Sequence, residues 1–264
     1  MKSIGISLLL ALLLAPERTR LRPGFNLFSA QQDVEIGKQV SQDAEKKLKI
    51  INDSQVGSYI TTLGRRLAAR APGEHYPYQF KVVNDKAINA FALPGGFLYI
   101  NRGIFDNADN EAQLAGVMAH EISHVVLRHG TNQMSKAYAA QAPLAVLGGV
   151  LGNNSIGGVL AQTGASFAAN SVLLRFSRDA ERQADLMGTQ ILYDSGYNPR
   201  AMAQFFEKIE AESGSRGSQF FSDHPNPGNR ISSVNQEIAK LGGANRPKND
   251  STDFQRIKRI LKSK

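Results

Sequence analysis

The chain has no cysteine and no tryptophan among its 264 residues. Without thiols it can form no disulfide, no thiolate metal site and no lipid attachment at an N-terminal cysteine. That absence suits an oxidising compartment without identifying one. Histidine is scarce, with five copies, and no Asp or Glu occurs between Ile122 and Arg178. No internal repeat is evident, which argues against a solenoid. Long apolar runs are also missing. The longest at the N-terminus, Ile4 to Ala15, follows Lys2 and covers twelve residues, the length of a signal-peptide core and too short for an ordinary membrane span. Three arginines within Pro16–Arg22 sit where export disfavours them, and no small-x-small cleavage site stands out. Export to a bacterial periplasm or cell envelope is the preferred reading, with cleavage of residues 1–25 or their retention as an anchor both open.

What is present is ordinary for a globular protein: 42% hydrophobic and 20% charged residues, with a net charge of +8. The length allows one large domain or two small ones. The positive excess is spread along the chain and ends in a basic stretch, Arg256–Lys264. It lacks the interleaved aromatics of a nucleic-acid binder, so no nucleic-acid partner is expected. A solvated surface is the default explanation, and attraction to anionic lipid head groups is the alternative.

The informative residues are His120-Glu-Ile-Ser-His124. Histidines four apart on a helix share a face and can hold one zinc ion, and the glutamate between them lies where it can take a proton from water. The alternative is a buried helix that carries two histidines by chance. The context favours the metal. Asp109-Asn-Glu111 offers an N-cap and acidic first turn, Leu114, Val117, Met118, Ile122, Val125 and Val126 form an apolar face, and Gly130 offers a stop. A helix of about five turns is expected.

A catalytic zinc takes three protein ligands and leaves one position open. His129 projects roughly 140° and 180° from the two histidines on a continuous helix, so it reads as a last-turn residue near the dipole. Leu127 and Gly130 stand where the metzincin pattern wants Gly and His, which excludes that class. The next acidic cluster, Ser177–Asp185, reads as a second helix with Glu181 and Asp185 on one face beside the small Ala184 and Gly188. Glu181 is therefore assigned as the third ligand and Asp185 as acceptor for a ring N–H of a ligand histidine. The competing reading is a solvated helix start whose acids answer the dipole.

With these motifs the chain resembles the gluzincin metalloproteases, the family of the HtpX heat-shock, CAAX prenyl, Oma-type and BepA-like zinc proteases. Phe28–Gly37 is similar to the family's entry helix, Asn89–Ile100 to its substrate-edge hairpin, Ser177–Asp185 to its third-ligand helix and Asp223–Ile231 to a later motif. The resemblance covers approximately residues 26–241. It implies an α+β, mostly α fold: a HExxH zincin-like core with a small β-sheet packed on the active-site helix. It implies one zinc on His120, His124 and Glu181, with Glu121 as catalytic base. It also implies that His224 lies close to the metal, either filling the open position or stabilising the oxyanion, and it assigns Asn89, Phe91, Gly95 and Gly96 to substrate binding. On local sequence alone His224 is a turn residue ahead of two prolines. No internal repeat of the kind BepA-like relatives carry is read in these residues, so a helical-repeat extension is not expected.

Helices are expected at 31–48, 54–70, 199–212 and 227–241, and strands at Tyr78–Val83 and Phe97–Ile100. The uncharged segment 142–169 reads as two short buried or lid helices, Leu144–Leu151 and Ile156–Ala168; its six glycines make a membrane hairpin the weaker choice. The metallopeptidase domain spans 26–243, followed by a polar, basic tail at 244–264 that loosens past Gly243 before a short basic helix. The function expected is a zinc endopeptidase acting on misfolded or misassembled cell-envelope polypeptides, with peripheral association with membrane or envelope proteins. The alternative is a latent, chaperone-like binder. A purely structural zinc is disfavoured because closed sites use four ligands and commonly cysteine.

Overall fold

A computed structural model describes residues 17–141, 175–213, 219–243 and 246–264. The apolar run Ile4–Ala15 and the segment 142–169 lie outside the described residues. The described chain runs α1 (Ala30–Glu45), α2 (Ser54–Ala68), β1 (Gln79–Val83), β2 (Ala90–Leu93), β3 (Phe97–Asn101), α3 (Arg102–Asn107), α4 (Glu111–Val126), α5 (His129–Gln141), α6 (Arg178–Asp194), α7 (Ala201–Ser213), α8 (Gln219–Asp223), α9 (Arg230–Lys240) and α10 (Thr252–Lys262). The expected mostly helical fold with a small sheet is what forms. None of these helices is long and apolar enough to cross a membrane.

The sheet has the order β1-β3-β2, with β1 parallel and β2 antiparallel to β3. Alternation along β3 divides the core. Leu98 and Ile100 join the main cluster with α2, α4, α7 and α10, while Phe97 and Tyr99 face a smaller cluster with Phe28, Ile36 and Val40 of the α1 region. The β2–β3 turn uses Gly95 and Gly96 at φ of 74° and 99°, a left-handed region that glycine enters without a Cβ penalty. A capping box closes the start of α1: Gln32 N–H donates to Ser29 Oγ at 3.2 Å and Ser29 N–H to Gln32 Oε1 at 2.7 Å.

α4 is buried along its whole length and packs against β2, α2, α6 and α7. Asn110 caps it as expected, accepting from Gln113 N–H at 3.1 Å. Its end differs from the expected stop at Gly130. The helix closes at Val126, and Arg128 takes a left-handed φ of 55°. Arg128 is held there by a bidentate pair with buried Asp33 (2.6 and 3.0 Å) and a bond to Phe28 O at 2.5 Å. Those charge-assisted bonds offset the strain of a non-glycine left-handed residue. Gly130 instead lies in the first turn of α5, close to Pro94.

Both ends of the described chain fold onto the domain. Past Gly243 the chain does not loosen into a tail: Phe254, Ile257 and Leu261 on one face of α10 are buried in the main core, and Lys248 backbone pairs with Gly196 and Asn198. At the other end, Arg18 pairs bidentately with Asp194 at 2.7 and 3.0 Å. Thr19 donates its N–H and hydroxyl to buried Glu237 at 2.9 and 2.5 Å, and its carbonyl accepts from Gln190 at 2.8 Å. Thr19 and Leu21 thus tether the otherwise exposed stretch 17–25 to the domain, a contact that lies before the expected boundary at residue 26.

Two outcomes follow. Truncation through Leu21 leaves the Glu237 carboxylate buried without its Thr19 donors, at a cost of roughly 1–3 kcal/mol; urea denaturation should show a lowered midpoint, and an unchanged one would make the strap passive. Glu111, at the start of α4, accepts from Tyr197 at 2.6 Å, Tyr59 at 3.0 Å, Lys248 and Ser251. Burial works to raise its pKa, but Lys248, Ser251 and Tyr197 outweigh it and hold it below 4.5. A depressed carboxylate stabilises fully above its unfolded pKa and loses that contribution as pH falls through its folded value. Glu111→Gln should therefore lose about 1–3 kcal/mol near neutrality and show a shallower stability decline below about pH 4.5 than the parent.

Candidate metal centre

The site is built where α4 and α6 cross. Gly188 on α6 makes this possible: a Cβ there would lie 3.2 Å from His120 N and 3.2 Å from Met202 Sδ, so only a bare backbone fits comfortably. Gly116 does the same for α7, where a Cβ would lie 2.7 Å from Met202 Cα. Ser177 caps α6, accepting from Ala180 N–H at 3.3 Å, and so aims Glu181, in the first turn, at the α4 face. The fourth contributor comes from beyond α8. His224 N–H donates to Phe220 O at 2.7 Å, and the Phe220 ring stacks on the imidazole at 4.5 Å.

His120, His124, Glu181 and His224 are all buried, and each offers one ligand atom within 4.8 Å of all the others. The Nε2 atoms of His120 and His124 are 3.0 Å apart, and His224 Nδ1 is 3.4 Å from His120 Nε2. Glu181 Oε1 is 3.2 Å from His224 Nδ1 and 3.5 Å from His124 Nε2, while Oε2 is 3.3 Å from His120 Nε2. A tetrahedron with bonds of about 2.0–2.1 Å has edges of about 3.3 Å. Nitrogen and carboxylate donors at that spacing fit a zinc ion. Four basic or acidic atoms aimed at one point would otherwise be hard to reconcile with full burial.

Both oxygens of Glu121 are buried without a hydrogen-bond partner. Burial raises its pKa, against the pull of His224 and His120. Its nearest basic neighbour is His224 Nε2, 3.5 Å from Oε1. Burial also raises the Glu181 carboxyl, but His224 and His120 overcome this and hold it well below the usual carboxylate range. His120 shows the opposite balance: burial lowers it, yet Asp185 and Glu181 carry it up to about 9.

The remote ring nitrogens also have close polar neighbours. Asp185 Oδ1 lies 3.1 Å from His120 Nδ1, at ion-pair distance but not aligned as a hydrogen bond. His129, read from the sequence as a bystander, places Nδ1 2.9 Å from His124 Nδ1 and Nε2 3.4 Å from Gln183 Oε1. The projection that excluded His129 assumed a continuous helix, whereas the Arg128 turn swings it back beside His124. Burial lowers its pKa to about 4, so it is neutral and can accept the His124 ring N–H. Sequence reasoning also passed over Arg230, whose Nε donates to Asp185 Oδ2 at 2.6 Å and whose Nη2 donates to Glu181 Oε2 at 3.3 Å. Its signal was its place in Asp223–Ile231. Phe176, stacked on His124 at 4.0 Å, carried no signal.

The residues expected to bind substrate divide. Asn89 is beside the site, its Nδ2 donating to Asp223 Oδ2 at 3.0 Å. Phe91 instead stacks on Tyr99 at 4.9 Å in the smaller cluster. Gly95 and Gly96 serve the turn against α1 and against Tyr76 and Tyr78. The part of the hairpin that reaches the centre is Ala92–Pro94, which lines a narrow crevice with His124, Val125 and Phe176.

The profile of peptidase family M48 matches residues 54–238, from α2 into α9. The chain belongs to peptidase family M48. Among its M48-like relatives, the beta-barrel assembly-enhancing protease of Escherichia coli is 35% identical over 221 residues, 81% of this chain and 45% of the relative. The mitochondrial metalloendopeptidase OMA1 of Schizosaccharomyces pombe is 28% identical, covering 75% of this chain and 60% of the relative. The metalloprotease LoiP of Escherichia coli is 29% identical, covering 77% and 79%. The chain spans about 45% of the length of the assembly-enhancing proteases it matches. In this M48 domain the expected zinc cofactor and the expected family agree with the donor set.

Because the centre depends on the α4–α6 approach, Gly188→Val should overpack the crossing, cost about 1–3 kcal/mol and lower zinc content. Calorimetry and elemental analysis of the purified variant check this; full zinc content with an unchanged Tm would contradict it.

Proposed function

We propose that the protein is a zinc endopeptidase that hydrolyses peptide bonds of misfolded or misassembled cell-envelope proteins after export. The observation that carries the chemistry is the partnerless, buried Glu121 beside four converging donor atoms. The substrate class rests on relatives named as beta-barrel assembly-enhancing proteases, together with the apolar N-terminal run. His120, His124 and Glu181 hold the zinc and Asp185 orients His120. When bound, zinc polarises the scissile carbonyl and makes water more acidic.

The chain's own groups do the rest. Glu121 takes a proton from water onto its carboxylate and hands it to the leaving amine; burial raises its basicity for the first step. His224 faces Glu121 through Nε2 and the donor cluster through Nδ1. From there it can fill the position that water needs or donate to the developing oxyanion. β2 pairs only with β3 among the described strands, so its other edge is available to hold an extended substrate backbone, with Ala92–Pro94 nearest the centre.

One observation favours a second reading. His224 completes a set of four protein donors, and a closed set is the mark of a non-catalytic site. A latent, chaperone-like binder would have that geometry.

Glu121→Gln separates the two. For the peptidase it should retain one zinc per chain and lose cleavage of a denatured test protein by about 10²–10⁴-fold. Chelation should abolish parental cleavage and zinc should restore it. Cleavage at the parental rate by the variant would overturn the mechanism. Full complementation of a deletion strain by the variant would favour the binder.

A further inference from the structure

Arg230 is an arginine buried among metal-site carboxylates, 3% exposed, at the first position of α9. Its Nε donates to Asp185 Oδ2 at 2.6 Å and its Nη2 to Glu181 Oε2 at 3.3 Å. Its guanidinium lies over the Phe206 ring, 4.4 Å from the centroid, and its Nη1 has no partner. Such a planar, permanently charged fork is suited to two carboxylates at once, which a lysine ammonium is not.

The two oxygens of Glu181 are not equivalent. Both face ligand nitrogens, Oε1 those of His124 and His224 and Oε2 that of His120. Only Oε2 also accepts from the Arg230 fork. A free carboxylate beside zinc can swing to offer both oxygens; one whose second oxygen accepts from a fixed guanidinium is kept to one. Asp185 is split in the same way, with Oδ2 on Arg230 and Oδ1 toward His120 Nδ1. Charge gives a second argument. Glu121, Glu181 and Asp185 bring three carboxylates into one buried site, and Arg230 is the only arginine or lysine paired with any of them among the described residues.

We propose that Arg230 is a positioning residue for the metal: it holds Glu181 to one-oxygen ligation, fixes Asp185 on His120 and sets the charge of the pocket for a divalent ion. This rests on the reading of His120, His124 and Glu181 as zinc ligands.

The test uses the full chain and two variants. Arg230→Met keeps an unbranched apolar stem over Phe206 and removes the fork, and Arg230→Lys keeps the charge without it. Zinc affinity is measured by competition with a chromophoric chelator, and the coordination by the visible spectrum of the cobalt-substituted protein. Arg230→Met should weaken zinc binding roughly 10–100-fold, and Arg230→Lys should recover only part of that. In both, the cobalt bands should weaken as a second Glu181 oxygen raises the coordination number. Unchanged affinity and spectrum with a lowered Tm would reduce Arg230 to a packing residue. Tighter zinc binding in Arg230→Met would make it only a repelling charge. Either result overturns the inference while leaving the zinc site intact. A parental protein that binds no zinc would overturn the underlying reading as well. If Arg230→Met does not fold, Arg230→Lys carries the decision by the same two measurements.

Discussion

Two helix backbones must come close enough that side chains from both reach one small point. Here that requirement falls on Gly188, where the α6 backbone meets α4 at His120. Once the approach is made, Glu181 stands one turn into α6 and the two histidines stand across from it. Everything else is arranged around the crossing. The sheet lies under α4, α7 crosses it at Gly116, and the chain after α8 brings His224 in from the side. A bulkier residue at Gly188 would press on the α4 backbone at His120 and on Met202.

The outer layer follows from burial. Buried polar atoms are costly to leave unpaired, so several ring nitrogens, carboxylate oxygens and a guanidinium answer one another, while the Glu121 oxygens, His224 Nε2 and Arg230 Nη1 are left without a hydrogen bond. Gln183, His129 and His124 form one hydrogen-bonded chain, and Arg230 bonds Asp185, which lies at ion-pair distance from His120. Such partners orient a ring from outside. Aromatic rings of Phe176, Phe206 and Phe220 fill the space between them.

Where the sequence could be read, the rule was local and periodic. His120 and His124 on one turn, Glu181 and Asp185 on another, the Asn110 cap and the alternation of β3 all follow from spacing within one element. The misreadings came from geometry between elements or at their ends. His129 was lost because the helix stops at Val126 and Arg128 turns the chain, held by Asp33 some 95 residues earlier in sequence. Arg230 had no partner within its own helix and meets Asp185 only in the folded chain. Phe91 stacks on Tyr99 of β3, a neighbour that spacing within β2 does not reveal. The basic end of the chain looked polar because α10 shows hydrophobic residues on one face alone.

Thr19 and Glu237 are 218 residues apart and meet in a buried contact, and Asp53 pairs with Lys264 at 3.2 Å. Contacts of such separation close late, because the entropy of the intervening loop is lost before they stabilise anything. A chain made or threaded from its N-terminus would carry the residues around Thr19 unpaired until α9 follows. The metal helices can assemble in the meantime, but the domain cannot become fully cooperative until almost its whole length is free to fold. That sets the order of events however the chain is delivered: release of nearly the whole length first, closure afterwards.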